Sequence, residues 1–161
     1  MTAGPARANS DQGPVARGGA SGGTGRGAAL TRRMVSTGSR FEGEFAYARA
    51  VCQGDWCFVA GTTGYDYKSM EMPEAAVDQA RNALATIESS LSEAGFAMAD
   101  VVRATYYIRD AGLAGEIGPA LREAFGTVRP AATMLVAGLI APEIKIEIEV
   151  TALRRPARDA R

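Results

Sequence analysis

Apolar and polar residues alternate strictly near the C-terminal end of the chain. The apolar positions are Ile144, Ile146, Ile148 and Val150, and the polar positions are Lys145, Glu147, Glu149 and Thr151. Because successive side chains of a β-strand point to opposite faces of a sheet, this pattern predicts a strand over residues 144–153. We expect this strand to be central in its sheet. Its polar face is then either solvated or enclosed between subunits around a polar cleft.

Two helices are predicted from apolar residues at helical spacing. The clearer one covers residues 73–94, where Pro73 suits the first helical position and Gly95 is placed to end the helix. The second covers residues 116–125. It requires Pro119 to lie in the first turn, because a proline further inside a helix removes a backbone hydrogen bond.

The remaining apolar segments read as strands. Residues 46–52 and 56–61 flank a short turn at Gly54 and Asp55, which predicts a β-hairpin. Further strands are predicted at 101–109 and 131–138, the first with Val102, Ala104, Tyr106 and Ile108 on one side. The order β-β-α-β-α-β-β favours an α+β fold, in which both helices pack on one face of a single sheet.

The two ends of the chain differ in composition from this body. Residues 1–33 are rich in Gly, Ala, Arg and Ser, show no apolar periodicity, and carry five arginines against one acidic residue. We expect a disordered tail at 1–33, one domain at 34–155 and a short C-terminal tail at 156–161. The basic tail is interpreted as an unstructured extension or as an arm that contacts RNA or an acidic partner. A third interpretation is that the start is wrongly assigned and that Met34 is the true first residue.

Composition narrows the chemistry. The formal net charge is zero and the chain has no histidine, which argues against a general polyanion binder and removes the commonest general base and metal ligand. Cys52 and Cys57 are too few for a zinc site within one chain, so no metal site is expected. They would face each other across the hairpin, either as a disulfide or, in a reducing cytosol, as two buried thiols. No apolar run spans a membrane, and a cytoplasmic location is predicted.

Several motifs together resemble one known family. Residues 129–133 read RPAAT, residues 145–150 read KIEIEV, and Tyr47 lies fourteen residues before Gly61. Over about residues 36–155 the chain resembles the Rid (YjgF/RidA) family. The resemblance implies a chorismate-mutase-like α+β domain with a single mixed sheet. It also implies a homotrimer whose sheets form an inner barrel, with three pockets at the subunit interfaces.

The resemblance also implies a set of site residues. The family tyrosine falls on Tyr47, the backbone N–H site on Gly61, a frequent cysteine on Met134 and the glutamate on Glu147. The arginine that binds the carboxylate of an imino acid derived from 2-aminoacrylate falls on Ala132. Leaving a buried carboxylate without its partner costs about 2–5 kcal/mol. The chain is therefore predicted to be a poor 2-aminoacrylate deaminase.

Two arginines are candidates to replace the missing one. Arg49 follows Tyr47 by two residues, so on a strand both side chains would face the pocket, and Arg129 precedes Ala132 by three. Either is an anion-binding residue or an ordinary surface arginine. Glu147 is the candidate catalytic residue, and an ion pair with Lys145 is expected to keep it ionised, so that it orients the attacking water.

These observations favour a cofactor-independent hydrolase or deaminase that acts on an imine, an enamine or a related metabolite. The alternative is a trimer that binds a metabolite in the same pockets without catalysis. RNA binding or cleavage, a role also attributed to some members of this family, ranks last. From Met34 onward the chain carries thirteen basic and seventeen acidic residues, and it has no histidine for acid–base cleavage of RNA. Neither a nucleic acid nor a membrane is an expected partner.

Overall fold

A computed structural model of the protein describes residues 31–155, so the proposed tails at 1–33 and 156–161 lie almost wholly outside the described residues. The described chain runs in the order β1 (Arg33–Val35), α1 (Arg40–Glu44), β2 (Ala50–Gln53), β3 (Trp56–Thr63), α2 (Ala76–Glu93), β4 (Val101–Ile108), α3 (Leu113–Phe125), β5 (Ala131–Val136) and β6 (Ile146–Leu153). A single 3-10 turn, Met98–Asp100, precedes β4. None of the helices described is long and apolar enough to cross a membrane.

The described strands form one open sheet in the order β1-β2-β3-β6-β4-β5. All neighbouring strands are antiparallel except β4 and β5, which are parallel and joined by α3, as a crossover connection requires. The predicted α+β fold with one mixed sheet is confirmed, and so is the central place of β6. Within one chain this sheet is not a closed barrel.

The core lies between the sheet and the helices. Ile146, Ile148, Val150 and Ala152 of β6 are buried, as the alternation predicted. They face the apolar side of α2, which packs against β3 and β6 and has α3 beside it. Each large aliphatic side chain buried there contributes about 1.5–3 kcal/mol to stability. Both long helices therefore cover one face, and the polar residues of β6 point to the other.

A bulge interrupts the pairing of β3 with β6. Val59 pairs with Val150 and Thr62 with Ile148, so three residue steps on β3 match two on β6. The extra residue lets Val59 and Thr62 face the same side although they are an odd number of residues apart. The strand predicted to end at residue 61 therefore continues to Thr63, and its last residue pairs with Glu147.

The N-terminal elements differ from the prediction. The strand predicted from residue 46 begins only at Ala50, because Ala46 takes a positive φ of 54° that ends α1 and turns the chain. The short elements β1 and α1, of three and five residues, were not predicted. In β4 a register shift buries Val101 and exposes Val102, contrary to the alternation, whereas Ala104, Tyr106 and Ile108 are buried as expected.

Both long helices also begin at residues other than those predicted. α2 begins at Ala76, three residues after Pro73, and ends before Gly95, whose φ of 78° suits glycine. α3 begins at Leu113, which places Pro119 in the second turn and not in the first. Because proline has no N–H, this position leaves one helical hydrogen bond unmade. Hydrophobic burial of Ile117 and Ala120 on either side of it holds the helix in place.

The two cysteines pair across the hairpin as predicted. Cys52 lies directly opposite Cys57 in the β2–β3 register, and both are buried free thiols. Burial, reinforced by the neighbouring Cys52 thiol, raises the pKa of Cys57 to about 12. A thiol with so high a pKa is a poor nucleophile at neutral pH.

Candidate functional site

A pocket of about 450 Å³ opens beside the C-terminal end of β3 and the start of β6. Its volume falls within the range of small-molecule sites, about 300–1,000 Å³. The lining residues are Phe41, Phe45, Tyr47, Ala60, Gly61, Thr63, Tyr65, Tyr67, Ile140, Ala141, Ile144 and Glu147. A second groove of about 500 Å³ lies between residues 65–68 and α2, and it contains none of the predicted site residues.

Glu147 is the acidic residue of this pocket. Its carboxylate lies against Gly61 so closely that a Cβ added to Gly61 would sit 2.0 Å from Oε1. Burial raises the pKa of Glu147 above its ordinary value of 4.5, and the nearby charge of Glu149 acts in the same direction. The cation of Arg49 opposes the shift. A carboxyl group held in this way can take up and release a proton closer to neutral pH than an exposed glutamate can.

The prediction of an ion pair between Lys145 and Glu147 is wrong. Lys145 precedes β6, and its Nζ donates a hydrogen bond to the Glu74 carbonyl at 2.7 Å, away from the pocket. No ion pair joins the two residues in the described chain. Glu149, on the same strand face as Glu147, accepts a hydrogen bond from the Tyr107 hydroxyl at 3.2 Å. The two glutamates therefore have different surroundings, and it is Glu147 that faces the pocket.

Arg49 lies fully buried behind the pocket wall. Its Nη1 donates to the Gly61 carbonyl at 2.8 Å and to Thr62 Oγ1 at 2.9 Å, and its Nη2 donates to the Tyr47 hydroxyl at 3.1 Å. Its guanidinium also lies 4.8 Å from the centre of the Tyr67 ring. Arg49 therefore links three parts of the wall: the segment before β2, the bulge of β3 and the loop after β3.

The charge of Arg49 is not balanced by an ion pair. Within residues 31–155, its Nε is a buried nitrogen without a hydrogen-bond partner, and no carboxylate lies within 4.0 Å of its guanidinium. Burial raises the pKa of the Tyr47 phenol, and the Arg49 cation opposes this shift as it does for Glu147. An unpaired buried charge is costly, and such groups concentrate at functional sites.

Aromatic side chains form the mouth of the pocket. Ser39 caps α1 by accepting a hydrogen bond from the Phe41 amide. Phe41 and Phe45 then fall one helical turn apart, with ring centroids separated by 6.3 Å. The Phe41 ring lies 6.5 Å from that of Tyr65, and the Tyr65 hydroxyl donates to Glu143. Phe41, Phe45 and Ile140 were not predicted as site residues. The i, i+4 aromatic pair after a capping serine is the signal that could have identified the first two.

The other candidate residues lie elsewhere. All six residues of β5 are exposed, including Ala132 and Met134, which pair with Ala104 and Tyr106 at the sheet edge. Arg129 is exposed just before β5, takes a positive φ of 50°, and donates from Nε to the Gly126 carbonyl. One chain thus brings Tyr47, Gly61 and Glu147 together with Arg49 behind them, and the three residues at β5 stand apart.

Comparison with known proteins supports the fold and identifies the family. The family model described as endoribonuclease L-PSP matches residues 37–154. Protein SCO2049 of Streptomyces coelicolor is 32% identical over 123 residues, which is 76% of this chain and 92% of the relative. The 2-iminobutanoate/2-iminopropanoate deaminase of Escherichia coli is 28% identical over 113 residues, which is 68% of this chain and 88% of that enzyme.

A solved structure agrees with these sequence matches. The Mycobacterium tuberculosis protein Rv2704, a member of the YjgF/YER057c/UK114 family, superposes with a TM-score of 0.71 at 41% sequence identity. The match covers 77% of this chain and all of the mycobacterial one. The motifs around Tyr47, Gly61 and Glu147, the mixed sheet and these matches agree with one another, and the chain belongs to the Rid (YjgF/RidA) family.

Proposed function

We propose that the protein is a cofactor-independent hydrolase or deaminase that acts on an imine or an enamine in the pocket of Tyr47, Gly61 and Glu147. The observation that carries the proposal is the position of Glu147, whose carboxyl group is partly desolvated, has a raised pKa, and faces a cavity large enough for a small molecule. The name of the Escherichia coli relative, an imine deaminase, supports the same class of reaction.

The geometry suits water addition to a C=N bond. Glu147 as carboxylate accepts a proton from water while the water oxygen bonds to the imine carbon, and it passes this proton to the nitrogen, which gives a neutral carbinolamine. The carboxylate of Glu147 then takes the proton of the carbinolamine hydroxyl and delivers it to the nitrogen as the C–N bond breaks, so that ammonia leaves and the oxygen stays on the carbon as a carbonyl group. A raised pKa suits a group that must both accept and donate in one cycle.

Tyr47 is proposed to orient the substrate nitrogen or the water. Its oxygen accepts a hydrogen bond from Arg49, so its own proton is available for the pocket. Arg49 contributes a fixed positive charge behind this hydroxyl, and that charge favours the ionised form of Glu147 before water attack.

We further propose that three chains assemble and that each pocket is completed by a neighbour. β5 is an edge strand whose six residues are all exposed, and Leu135 and Val136 are 47% and 60% exposed. An uncovered apolar edge invites pairing with another chain. In the proposed trimer Ala132 and Met134 of one chain close the pocket of the next, with Arg129 at the approach.

The assembly is tested by Leu135→Glu, which places a charge on the exposed edge. Sedimentation of the wild type as a trimer and of the variant as a monomer is the expected result. Glu88→Lys on the exposed side of α2 is the matched control and should leave the trimer intact. A wild type that sediments as a monomer at micromolar concentration contradicts the proposed assembly.

The reaction is tested by following the hydrolysis of two N–H imines, 2-iminopropanoate and benzophenone imine. Acceleration of at least one of them is expected, and Glu147→Gln should lower kcat/KM by about 10²-fold or more. Glu149→Gln, on the same strand face but bonded to Tyr107, is the control and should stay within about threefold of the wild type. Equal rates in the wild type and in Glu147→Gln would exclude the proposed role of Glu147.

Binding without turnover is the second candidate, because Ala132 leaves the family's arginine position empty. A metabolite that raises Tm but is recovered unchanged would favour it. For either function we place the protein in the cytoplasm, a proposal that the two free, buried thiols support.

A further inference from the structure

The wall of the pocket is unusually rich in aromatic rings. Phe41 and Phe45 stack at 6.3 Å with an interplanar angle of 26°, Tyr65 lies 6.5 Å from Phe41, and Tyr67 lies 6.5 Å from Tyr65. Ile140 completes this wall from the loop before β6 and is 82% exposed. So exposed an isoleucine beside a row of rings forms an apolar surface that a ligand can cover.

The same wall offers no positive charge to a ligand. In the described part of the chain no arginine or lysine lines the pocket. Arg49 is fully buried behind it, and its Nη atoms are engaged by Gly61, Thr62 and Tyr47. A ligand carboxylate would therefore lose its hydration without gaining a charged partner, and it would also face the charge of ionised Glu147.

The neighbouring arginines point elsewhere. Arg109 donates to the backbone carbonyls of Ile144 and Ala141 and does not line the pocket. Arg40 lies over the Phe41 ring, 5.1 Å from its centroid, and is not part of the lining. Ala132 and Met134, which we propose to close the pocket from the next subunit, are uncharged as well. Apart from Glu147, every side chain that lines the pocket within the described chain is thus apolar or neutral, and the guanidinium of Arg129, at the approach from the next subunit, donates to the Gly126 carbonyl of its own chain.

We infer that the site takes an uncharged imine or enamine that carries an aromatic ring or an apolar group of similar size, and that Phe41, Phe45 and Ile140 determine this specificity. This inference rests on the proposed function, because it assigns a substrate class to the same pocket. A cavity of about 450 Å³ has room for a ring beside the reacting C=N group, and flat apolar ligands pack well on aromatic side chains.

Binding can be measured separately from turnover with three stable probes. Benzamide carries a ring and a neutral planar head group, acetamide has the same head group without the ring, and benzoate has the same ring with a negative charge. Calorimetric titration of the full-length wild type should show benzamide binding at least tenfold more tightly than either of the other two. Acetamide or benzoate binding as tightly as benzamide, or no benzamide binding at millimolar concentration, overturns the inference.

Two exposed residues allow the wall to be changed without damage to the core. Phe45 and Ile140 are 57% and 82% exposed. Phe45→Ala and Ile140→Ser should each weaken benzamide binding at least fivefold, and acetamide binding should not change. The conservative controls Phe45→Tyr, which keeps the ring, and Ile140→Leu, which keeps the size, should stay within about twofold of the wild type. Unchanged benzamide affinity in both Phe45→Ala and Ile140→Ser overturns the assignment of these residues.

The outcomes separate the inference from the proposed function. Preferential benzamide binding without hydrolysis of any imine contradicts the proposed reaction but supports the inferred ligand class. Hydrolysis of 2-iminopropanoate in preference to benzophenone imine, together with equal binding of acetamide and benzamide, supports the reaction and overturns the ligand class.

Discussion

Oε1 of Glu147 occupies the space that a side chain on Gly61 would need. An ideal Cβ at Gly61 would lie 2.0 Å from Oε1 and 2.9 Å from the carboxyl carbon of Glu147. The backbone of Gly61 does not take a positive φ, so the requirement for glycine comes from this close approach and not from backbone conformation. The bulge in β3 and the carboxylate on β6 are therefore fitted to each other.

Gly61→Ala should displace the Glu147 carboxylate and lower kcat/KM by about 10²-fold, because a small misplacement of a catalytic group is costly. Overpacking should also lower the free energy of unfolding by about 1–3 kcal/mol. Rates and chemical denaturation measure the two effects.

The control is Gly115→Ala in α3, where a new Cβ meets nothing within 4 Å. It should keep full activity and gain about 0.5–1 kcal/mol of stability. Full activity of Gly61→Ala would mean that Glu147 does not act from its present position.

Arg49→Met should move the pH dependence of the reaction. The Arg49 cation lowers the pKa of Glu147, so its removal should shift the rising limb of kcat/KM to higher pH. The rate at the optimum should also fall, by about 10²-fold, because Tyr47 loses the donor that orients it. Arg81→Met removes an exposed arginine of α2 that bonds to Asp78 and Glu123, and its profile should match that of the wild type. A profile of Arg49→Met that does not move would remove Arg49 from the electrostatics of the site.

Glu147→Gln should become more stable than the wild type as pH rises. Because burial raises the pKa of Glu147 in the folded protein above 4.5, the folded state binds its proton more tightly than the unfolded state does. The contribution of this group is therefore fully present below about pH 4.5 and is lost as pH increases through the folded pKa. Denaturation midpoints at several pH values between about 4 and 8 measure the difference.

Glu123→Gln is a control of opposite sign. A hydrogen bond from Arg81 lowers the pKa of Glu123 in the folded protein, so its contribution is present above the unfolded pKa and is lost as pH falls. As pH rises, the free energy of unfolding of the wild type should increase relative to that of Glu123→Gln and decrease relative to that of Glu147→Gln. The same trend in both variants would contradict the assigned desolvation of Glu147.

Ala132→Arg should restore recognition of a carboxylate if the neighbouring subunit closes the pocket. A guanidinium can bind a carboxylate through two parallel hydrogen bonds, so the affinity for benzoate and kcat/KM for 2-iminopropanoate should each rise at least tenfold. The adjacent Ala131 pairs with Arg103, and its side chain points to the opposite face of β5. Ala131→Arg should therefore give no gain. Equal behaviour of the two variants would show that residue 132 does not reach the pocket.

The strand alternation predicted β6, and the order of the predicted strands and helices predicted the fold class. The pattern at residues 144–151 defines both faces of β6 because burial on one side of a sheet imposes a period of two. The helical spacing that predicted α2 is explained in the same way, because Leu84, Ile87 and Leu91 lie at that spacing and are all buried in the core. These are local patterns with one physical cause, the burial of an apolar face.

The details of the pocket depend on relations that no local pattern contains. Lys145 was expected to pair with Glu147 because both belong to one alternating segment, but β6 begins at Ile146 and Lys145 is directed to Glu74. Arg49 was expected on a strand, but it lies in the turn before β2, where it donates to the nearby Tyr47 and to the distant Gly61 and Thr62. Contacts between segments far apart in sequence decide both outcomes.

Because of the bulge at Ala60 and Gly61, the position of the site depends on the number of residues between Val59 and Thr62. Val59 is aligned with the core on one side of it, and Thr62, which accepts a hydrogen bond from Arg49, is aligned on the other. Deleting a single residue between them would exchange inside and outside for the last part of β3, turning the Thr62 hydroxyl away from the guanidinium and presenting Thr63 to the core. A substitution in this segment changes one contact of the pocket, whereas a change in its length moves every following side chain of β3 to the opposite face.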